Sequence, residues 1–331
     1  MTSSEQRSAT RPSLRNVLVS APLTDEVMQG LRRDHPEITF ELIEHPEDAD
    51  GFPDADAIIG WRLSSAQLER SPRLRWLQTT SAGVERVLTP EMIERGIVIT
   101  NASGVHAVSI SEHLMAMMLA FARCLPRLLR NQDRHVWRDE NVRDHVFELH
   151  GQTLLVVGMG DIGTALAERA VGFGMRVLGI RQRIDLPEVV AFSRTSSVAD
   201  LDTFLPEADH VAICLPLTDR TRGLFDTEKI DRMKPGAYLY NIGRGQIIDQ
   251  VALIDALRGG RLGGAGLDVT DPEPLPGDSP LWDLPNVIIT GHTSGSSPVY
   301  WERASIIIAE NIRRWQAGET LINEVDPVRG Y

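Results

Sequence analysis

The feature that most constrains this chain is a turn of three glycines between a buried strand and a helix, in the stretch LLVVGMGDIGTALAERAVGFGMRVLGI, residues 154–180. Gly158 permits a tight turn, Gly160 lets a pyrophosphate approach the backbone, and Gly163 lets the helix pack close to the sheet. The start of the helix offers free N–H groups and a partial positive charge to phosphates. Because a second strand follows, the stretch predicts a βαβ unit that binds a dinucleotide.

The second strand of this unit ends in an unusual way. A strand that binds NAD usually ends in an Asp or Glu, whose carboxylate accepts hydrogen bonds from the ribose hydroxyls and repels a 2′-phosphate. Here Arg181, Gln182 and Arg183 occupy that place, and Arg181 lies 18 residues beyond Gly163. A planar guanidinium suits a phosphate. The sequence therefore predicts that NADP(H) is preferred over NAD(H); the alternative is that both arginines are solvated surface residues.

Short apolar strands alternate with amphipathic helices along most of the chain. Candidate strands are NVLVSAP, ITFELI, ADAIIGW, LRWLQTT and GIVITN, then a second series from Thr153 through VLGI, HVAICLP, AYLYNI, AGLDV and NVIIT. Strands that alternate with helices predict parallel sheets covered by helices. We therefore expect an α/β protein with two doubly wound parallel-sheet domains.

The order of these elements predicts how the domains divide. Residues 125–298 would form a dinucleotide-binding Rossmann domain with a complete six-strand unit. Residues 14–124 and 299–331 would form the other domain, because the last helix follows the final strand of the second series and has no strand after it. The polar residues 1–13 are expected to be a disordered tail.

A long apolar helix is predicted between the two series, over about residues 107–130, with a kink at Pro126. Its methionine-rich stretch LMAMMLAF is interpreted as core or subunit interface.

Three residues in turns after later strands point to chemistry: Arg244 in NIGRGQIID, Glu273 in DVTDPEPLP and His292 in TGHTSG. Ligands of open α/β sheets bind beyond the carboxyl ends of the strands, so the three turns could converge on one cleft. Reduction of a 2-keto acid needs a proton donor for the carbonyl oxygen, and His suits this near neutral pH. A neighbouring carboxylate would orient the imidazole, and a guanidinium would hold the substrate carboxylate and stabilise developing charge. We expect His292 as acid/base, Glu273 as its orienter and Arg244 as the clamp.

Composition excludes several other classes of protein. A net charge of −12 argues against nucleic acid or an anionic membrane as a partner. No apolar run reaches the roughly 18 residues of a membrane span, and the polar start has no secretory core region. The two cysteines, Cys124 and Cys214, both lie in apolar runs. They favour a reducing, cytoplasmic compartment over a disulfide framework or a metal site, and no metal is expected.

The chain resembles the D-isomer-specific 2-hydroxyacid dehydrogenase family over essentially its whole length beyond the tail. The resemblance rests on five motifs in order: VVGMGDIG, CLPLTDRTRGLFD, MKPGAYLYNIGRGQIID, GAGLDVTDPEPLP and NVIITGHTSG. The catalytic triad of that family falls on Arg244, Glu273 and His292.

The resemblance implies further features. It implies a discontinuous flavodoxin-like substrate domain, a homodimer, and a substrate carboxylate held by backbone amides of the SAGV turn, Ser81, Ala82, Gly83 and Val84. Trp61 and Arg62 would shape the substrate pocket or lie on its rim, and Asp268 would meet the nicotinamide carboxamide. The segment around Trp137 is similar to one that packs near the active site of the neighbouring subunit, and Trp137 itself is expected to be structural. The other residues expected at the cofactor are Asp161, Ile162, Leu215, Pro216, Thr221, Ile242, Gly243 and Gly295.

The function we expect is NADPH-dependent reduction of a small 2-keto acid to a D-2-hydroxy acid, with glyoxylate and hydroxypyruvate as leading substrates. Alternatives on the same fold are a formate dehydrogenase, a phosphoglycerate-type dehydrogenase, and a cofactor-sensing binding protein or co-repressor. The Glu partner of the His argues against formate oxidation, which needs no acid/base. The sequence leaves the substrate's R group open.

Overall fold

The computed structural model describes residues 11–60, 62–84, 87–182 and 189–327. The chain divides into two compact units, one made of Met1–Val105 with Ser297–Tyr331 and the other of His106–Ser296. Of the predicted disordered tail, residues 1–10 lie outside the described residues. For residues 11–13 the prediction is wrong, because Arg11 pairs with Glu324 at 2.8 Å and the carbonyl of Pro12 accepts from Nε1 of Trp315 at 3.0 Å.

The described residues contain twelve strands: β1 (Asn16–Val19), β2 (Thr39–Leu42), β3 (Ala57–Ile59), β4 (Trp76–Gln78), β5 (Val98–Thr100), β6 (Thr153–Val157), β7 (Arg176–Ile180), β8 (Arg194–Ser196), β9 (His210–Ile213), β10 (Tyr238–Asn241), β11 (Gly264–Leu267) and β12 (Val287–Ile289). The α-helices are α1 (Asp25–Asp34), α2 (Ser65–Glu69), α3 (Pro90–Glu94), α4 (Ala107–Ala122), α5 (Leu125–Asp133), α6 (Asp161–Gly172), α7 (Leu201–Phe204), α8 (Thr227–Arg232), α9 (Gln250–Arg258) and α10 (Tyr300–Ala317).

The first unit contains a five-stranded sheet in the order β2-β1-β3-β4-β5, with all neighbouring strands parallel. This is the flavodoxin-like strand order. The last helix, α10, returns to this unit, where Ile308, Ile312 and Trp315 pack in the same core as strand residues of β1 and β3. The Trp315 ring stacks on Trp76 of β4 with centroids 5.5 Å apart.

The second unit contains a seven-stranded sheet in the order β12-β11-β10-β9-β6-β7-β8, again with every pair parallel. Strands β6 and β9 are buried along their whole length because helices cover both faces of such a sheet. The two parallel sheets confirm the prediction of an α/β protein with two doubly wound domains. The strand order reverses at β6, between β9 and β7, which is where ligands bind in open α/β sheets.

Three sequence-based expectations differ from this structure. The second sheet has seven strands where six were expected, because the short polar strand β8, of sequence RTS, pairs with the edge of β7. The long helix is two helices, α4 and α5, bent by 68°. The break comes at Cys124, whose φ of 53° is left-handed, and Pro126 lies in the first turn of α5, where its missing N–H is tolerated.

The boundary between the units lies before α4, at residues 105 and 106, whereas the prediction set it after residue 124. The reason is the broad apolar face of α4. Leu114 and Met118 are fully buried in one cluster with Leu154 of β6 and Leu166 of α6. This places the methionine-rich stretch in the core of the second unit.

Among the described residues, no single helix is long and apolar enough to cross a membrane, and only the bent pair of α4 and α5 reaches that length and hydropathy together.

Candidate active site

The turns that follow neighbouring strands of the second sheet lie against one another at its carboxyl edge. A Cβ on Gly158, after β6, would come within 2.6 Å of the carbonyl oxygen of Cys214, after β9. A Cβ on Gly243, after β10, would come within 2.5 Å of the carbonyl oxygen of Leu215. Such distances are too short for any side chain, so only glycine allows these turns to touch. The turns after β6, β9 and β10 are therefore in direct contact along this edge of the sheet.

The glycine turn before α6 combines one closed and one open position. A Cβ on Gly163 would lie 2.1 Å from the carbonyl oxygen of Gly158, so the helix packs directly on the turn. A Cβ on Gly160 would meet no heavy atom within 4 Å. Gly160 is also the residue that caps α6, which begins at Asp161 and continues with Ile162. Open space beside the start of a twelve-residue helix fits a pyrophosphate group.

Arg181 stands beside this turn. It directly follows β7, and the amide of Gly158 donates to the carbonyl of Ile180 at 2.9 Å. Arg181 is only 8% exposed, and its own amide donates to Ser196 at 3.0 Å. This burial does not fit the alternative of a solvated surface arginine. Gln182 is exposed, and Arg183 lies outside the described residues.

The remaining residues expected at the cofactor lie in turns of the same unit. The Thr221 hydroxyl donates to the carbonyl of Pro216 at 2.8 Å and so closes the turn after β9. Ile242 is 8% exposed directly after β10. The carbonyl of Gly295 lies 3.1 Å from Nδ1 of His106.

The turn that carries Arg244 is folded by a residue that the sequence analysis did not single out. The buried side chain of Asn241 accepts from the amide of Gly243 at 3.0 Å and donates to the carbonyl of Arg244 at 2.9 Å. Arg244 is half-buried, and its Nη1 donates to the Gly243 carbonyl at 2.7 Å. An Asn at a strand end can bond through its side chain to the backbone two residues on and so form a turn, and this signal could have identified Asn241.

The turn of Arg244 lies against the turn of Glu273. A Cβ on Gly245 would come within 2.0 Å of the carbonyl oxygen of Thr270. The amide of Thr270 in turn donates to Oε1 of Glu273 at 3.2 Å. Backbone packing thus brings the predicted clamp and the predicted orienter into adjacent turns.

Glu273 and His292 are joined directly, with His292 Nδ1 3.0 Å from Glu273 Oε2. Because an ionised carboxylate can only accept, this contact assigns the Nδ1 proton to the imidazole. Nε2 is then directed away from Glu273. The His292 side chain is 53% exposed, so Nε2 can reach a substrate atom. The pair has the arrangement of a general acid held by its carboxylate.

The backbone of His292 is unusual. Its φ is 59°, in the left-handed region that few residues other than glycine adopt. Its amide donates to the carbonyl of Asp268 at 2.6 Å. A left-handed residue of this kind costs on the order of 1 kcal/mol and is maintained only where surrounding contacts determine it.

Asp268 provides many of those contacts. It is 2% exposed, and its Oδ1 accepts from the Thr290 hydroxyl at 2.6 Å and from the amides of Thr293 and Ser294 at 2.9 and 3.2 Å. Its Oδ2 accepts from the hydroxyl and the amide of Ser294. Burial alone would raise the pKa of Asp268, but these hydrogen bonds outweigh it and hold the pKa below its usual value. Asp268 is therefore an ionised anchor for the turn that carries His292.

The predicted substrate turn belongs to the first unit. The carbonyls of Ser81, Ala82 and Gly83 accept from the Ala102 amide, the Asn101 side chain and the Ser81 hydroxyl at 3.0, 2.8 and 2.6 Å, and Val84 is 2% exposed. Arg62 is exposed after β3, and Trp61 lies outside the described residues.

Known proteins resemble this chain along most of its length. A family model for the NAD binding domain of D-isomer specific 2-hydroxyacid dehydrogenases matches residues 115–294. Glyoxylate/hydroxypyruvate reductase B of Pectobacterium carotovorum subsp. carotovorum is 36% identical over 293 residues, which cover 87% of this chain and 89% of that protein. D-3-phosphoglycerate dehydrogenase of Methanocaldococcus jannaschii is 33% identical over 315 residues, and the match spans 94% of this chain but 59% of that protein.

A solved structure agrees with these matches. The D-isomer specific 2-hydroxyacid dehydrogenase from Xanthobacter autotrophicus Py2, in complex with NADPH and MES, superimposes with a TM-score of 0.82 at 29% identity, and the match covers 97% of this chain and all of that one. The family model, the sequence relatives and the solved structure agree. The chain therefore belongs to the D-isomer-specific 2-hydroxyacid dehydrogenase family.

Proposed function

We propose that this oxidoreductase reduces a small 2-keto acid to a D-2-hydroxy acid with NADPH. The observation that carries the proposal is the hydrogen bond from Nδ1 of His292 to Glu273, in a turn adjacent to that of Arg244. A histidine whose Nδ1–H is held by a carboxylate keeps Nε2 accessible, and in the charged form of the imidazole Nε2 can donate a proton to a carbonyl oxygen. A sensor or co-repressor needs no such pair.

The roles follow from the side chains. The nicotinamide group supplies the hydride when it is bound. His292 donates a proton from Nε2 to the carbonyl oxygen of the substrate, and Glu273 stabilises the positive charge of the imidazolium before donation. Arg244 binds the substrate carboxylate and the carbonyl oxygen. We also assign binding of the substrate carboxylate to the backbone of residues 81–84, in the first unit.

The cofactor is NADPH in this proposal. The glycine turn and the start of α6 would hold the pyrophosphate, and Arg181, Gln182 and Arg183 would face the adenosine end. Three observations support this choice. Arg181 occupies the place of the usual carboxylate, it is only 8% exposed, and the Xanthobacter autotrophicus relative was solved with NADPH bound. Asp268 holds the turn of His292 and would also meet the carboxamide.

The substrate class is small 2-keto acids, with glyoxylate and hydroxypyruvate first, as in the name of the Pectobacterium relative. Oxidation of 3-phosphoglycerate is the second candidate, favoured by the identity to the Methanocaldococcus protein. We assign substrate binding to the unit of Met1–Val105 with Ser297–Tyr331 and cofactor binding to His106–Ser296. We set the reaction in the reducing cytoplasm, since Cys124 and Cys214 are both free thiols.

We further propose a homodimer that buries α5. This helix buries none of its residues within the chain, and Leu125, Leu128 and Leu129 are 44%, 40% and 59% exposed. Trp137, just beyond α5, is 96% exposed, so it has no packing role within its own subunit. An apolar surface of this kind marks a protein interface.

Leu129→Glu should yield monomers in light scattering, while the matched control Val251→Glu, at a residue 70% exposed on α9, should leave the dimer intact. A dimer that survives Leu129→Glu would exclude this interface.

The reaction is tested by initial rates with glyoxylate, hydroxypyruvate, pyruvate and phenylpyruvate, each with NADPH and with NADH, and by the reverse assay with 3-phosphoglycerate. We expect reduction of glyoxylate or hydroxypyruvate, with a kcat/KM for NADPH that exceeds that for NADH by roughly tenfold or more. Faster turnover of 3-phosphoglycerate would select the second candidate. Nucleotide binding without turnover of any of these acids would favour the sensor alternative.

A further inference from the structure

One face of α4 contacts both ends of the turn that carries His292. His106 caps α4, and Ser109 and His113 follow three and seven positions later. Residues at this spacing lie on the same side of a helix. All three residues contact residues 290–295, in the same unit.

At the far end of the turn, the contact is with the backbone. The carbonyl of Gly295 lies 3.1 Å from Nδ1 of His106 and accepts from the hydroxyl of Ser109 at 3.4 Å. A Cβ on Gly295 would come within 3.1 Å of His106 Nδ1, so the backbone approaches the imidazole closely. The end of the turn therefore rests directly on α4.

At the near end, a chain of hydrogen bonds leads from α4 to the buried carboxylate. His113 Nε2 lies 3.0 Å from the hydroxyl oxygen of Thr290, and that oxygen lies 2.6 Å from Oδ1 of Asp268. A hydroxyl has one proton, and an ionised carboxylate can only accept, so Thr290 donates to Asp268. Thr290 must then accept from His113, which assigns a proton to Nε2 of His113.

This chain bears on His292 because Asp268 holds the turn at several points. Its Oδ1 takes the amide of Thr293 as well as the Thr290 hydroxyl, and its main-chain carbonyl takes the amide of His292 at 2.6 Å. With the donor of His113 in place, the Thr290 hydroxyl has only one direction for its proton. The Thr290 hydroxyl is thereby directed at Asp268, and its hydrogen bond adds to those from Thr293 and Ser294 that hold Asp268 in the turn of His292.

We propose that His113 is a positioning residue for the proton donor: through Thr290 and Asp268 it sets the geometry of His292. This inference rests on the proposed function, because it concerns the same reduction. His113 is not expected to touch substrate or cofactor. A misplacement of about 1 Å at a reacting group can cost up to roughly a hundredfold in rate, so the loss of this support should appear in kcat.

The test uses pairs of variants in the full-length protein. His113→Phe removes the donor, whereas His113→Gln keeps an N–H near the position of Nε2. Thr290→Val removes the hydroxyl, whereas Thr290→Ser keeps it. Glu112→Gln is the matched control on α4, where Glu112 pairs with Arg169 at 3.6 Å and lies away from the turn. Cofactor binding and thermal unfolding are measured for each.

We expect His113→Phe and Thr290→Val each to lower kcat by roughly tenfold or more, with the Kd for NADPH within twofold of wild type. His113→Gln and Thr290→Ser should recover most of the rate. The double variant of His113→Phe with Thr290→Val should have a kcat no lower than that of the less active single variant, because both substitutions break the same chain of hydrogen bonds. In a His292→Ala background, His113→Phe should cause no further loss. An unchanged kcat in His113→Phe, or an equal loss with and without His292, would overturn the proposal.

A second readout separates this inference from the proposed function. The imidazole ¹⁵N signals of His292, identified by their loss in His292→Ala, should shift in His113→Phe and return in His113→Gln. If the wild-type protein turns over no keto acid while these shifts occur, the proposed function fails and the positioning role stands. If His292 signals are the same in wild type and His113→Phe, the positioning role is wrong whatever the activity.

Discussion

Nδ1 of His292 lies 3.0 Å from Oε2 of Glu273, a residue 19 positions earlier in the chain. The contact joins the turn after β11 to the turn after β12. It assigns a proton to Nδ1 of the imidazole and leaves Nε2 directed away from Glu273. The other features of the site can be related to this pair: the turns of Arg244 and Glu273 are in contact, and Asp268 anchors the backbone of His292.

Replacing the carboxylate of this pair should slow the reaction without unfolding the protein. We expect Glu273→Ala to lower kcat by about a hundredfold, the scale of one positioned acid/base group, because His292 loses its orientation and the stabilisation of its charged form. Glu273→Gln should lose less, since its amide oxygen can still accept from Nδ1. Steady-state kinetics check this, with Asp278→Asn, an exposed carboxylate of the same loop, as the control. Equal rates for Glu273→Ala and wild type would rule out the pairing as a functional one.

Two glycine substitutions should separate folding from cofactor binding. Gly163→Ala sets a Cβ 2.1 Å from the Gly158 carbonyl oxygen, so it should lower the melting temperature by several degrees or more. Gly160→Ala meets nothing within 4 Å, and its φ of −85° suits alanine. It should keep the melting temperature within about 2 °C and weaken NADPH binding, because the methyl group fills the space proposed for the pyrophosphate. Tight NADPH binding by a folded Gly160→Ala protein would mean that the phosphates lie elsewhere.

Arg181→Asp should change the choice of cofactor. The carboxylate repels a 2′-phosphate and accepts from ribose hydroxyls, so the ratio of kcat/KM for NADPH to that for NADH should fall by roughly ten- to a hundredfold. Because Arg181 is 8% exposed, Arg181→Gln serves as a milder second variant with the same direction of change. Arg176→Gln, at the start of β7, is the control and should leave the ratio unchanged. An unaltered ratio in both Arg181 variants would remove Arg181 from the cofactor site.

Acid should destabilise the second unit through His210. This imidazole is fully buried on β9, with Nδ1 3.0 Å from the Tyr240 hydroxyl, and burial lowers its pKa to about 4. The unfolded chain binds this proton at a pKa near 6.5. Stability from the neutral His210 is therefore fully present above about pH 6.5 and is lost as the pH falls towards 4, by about 3 kcal/mol in total. Urea unfolding from pH 8 to 4 should show a smaller acid loss in His210→Gln than in wild type. Parallel curves would contradict this assignment.

The sheets were the most predictable part of the fold, because β6 and β9 are apolar beyond their first residue, as is typical of strands in a parallel sheet covered on both faces. The strand β8 was missed, since RTS has no apolar pattern and its pairing with β7 depends on backbone hydrogen bonds. The break between α4 and α5 was only partly anticipated. Pro126 indicated a kink, but the left-handed Cys124 that makes it has no signature in the sequence.

The residues of the candidate site also differ in how well the sequence predicts them. Arg244, Glu273 and His292 could be chosen because each stands in a turn after a predicted apolar strand, where its chemistry is hard to explain as packing. His113 and Thr290 could not, because their contact spans 177 residues and depends on how α4 packs. Asp268 was expected at the cofactor, and its hydrogen bonds to the turn of His292 emerge only when the fold brings β11 and β12 together.

The most direct test of the central claim is the rate of glyoxylate reduction by His292→Ala, measured in single turnovers beside NADPH binding to the same protein. If His292 donates the proton, the rate should fall by about a hundredfold or more while the Kd for NADPH stays within twofold of wild type. Near-normal reduction by His292→Ala would show that the proton comes from another group and would contradict the account.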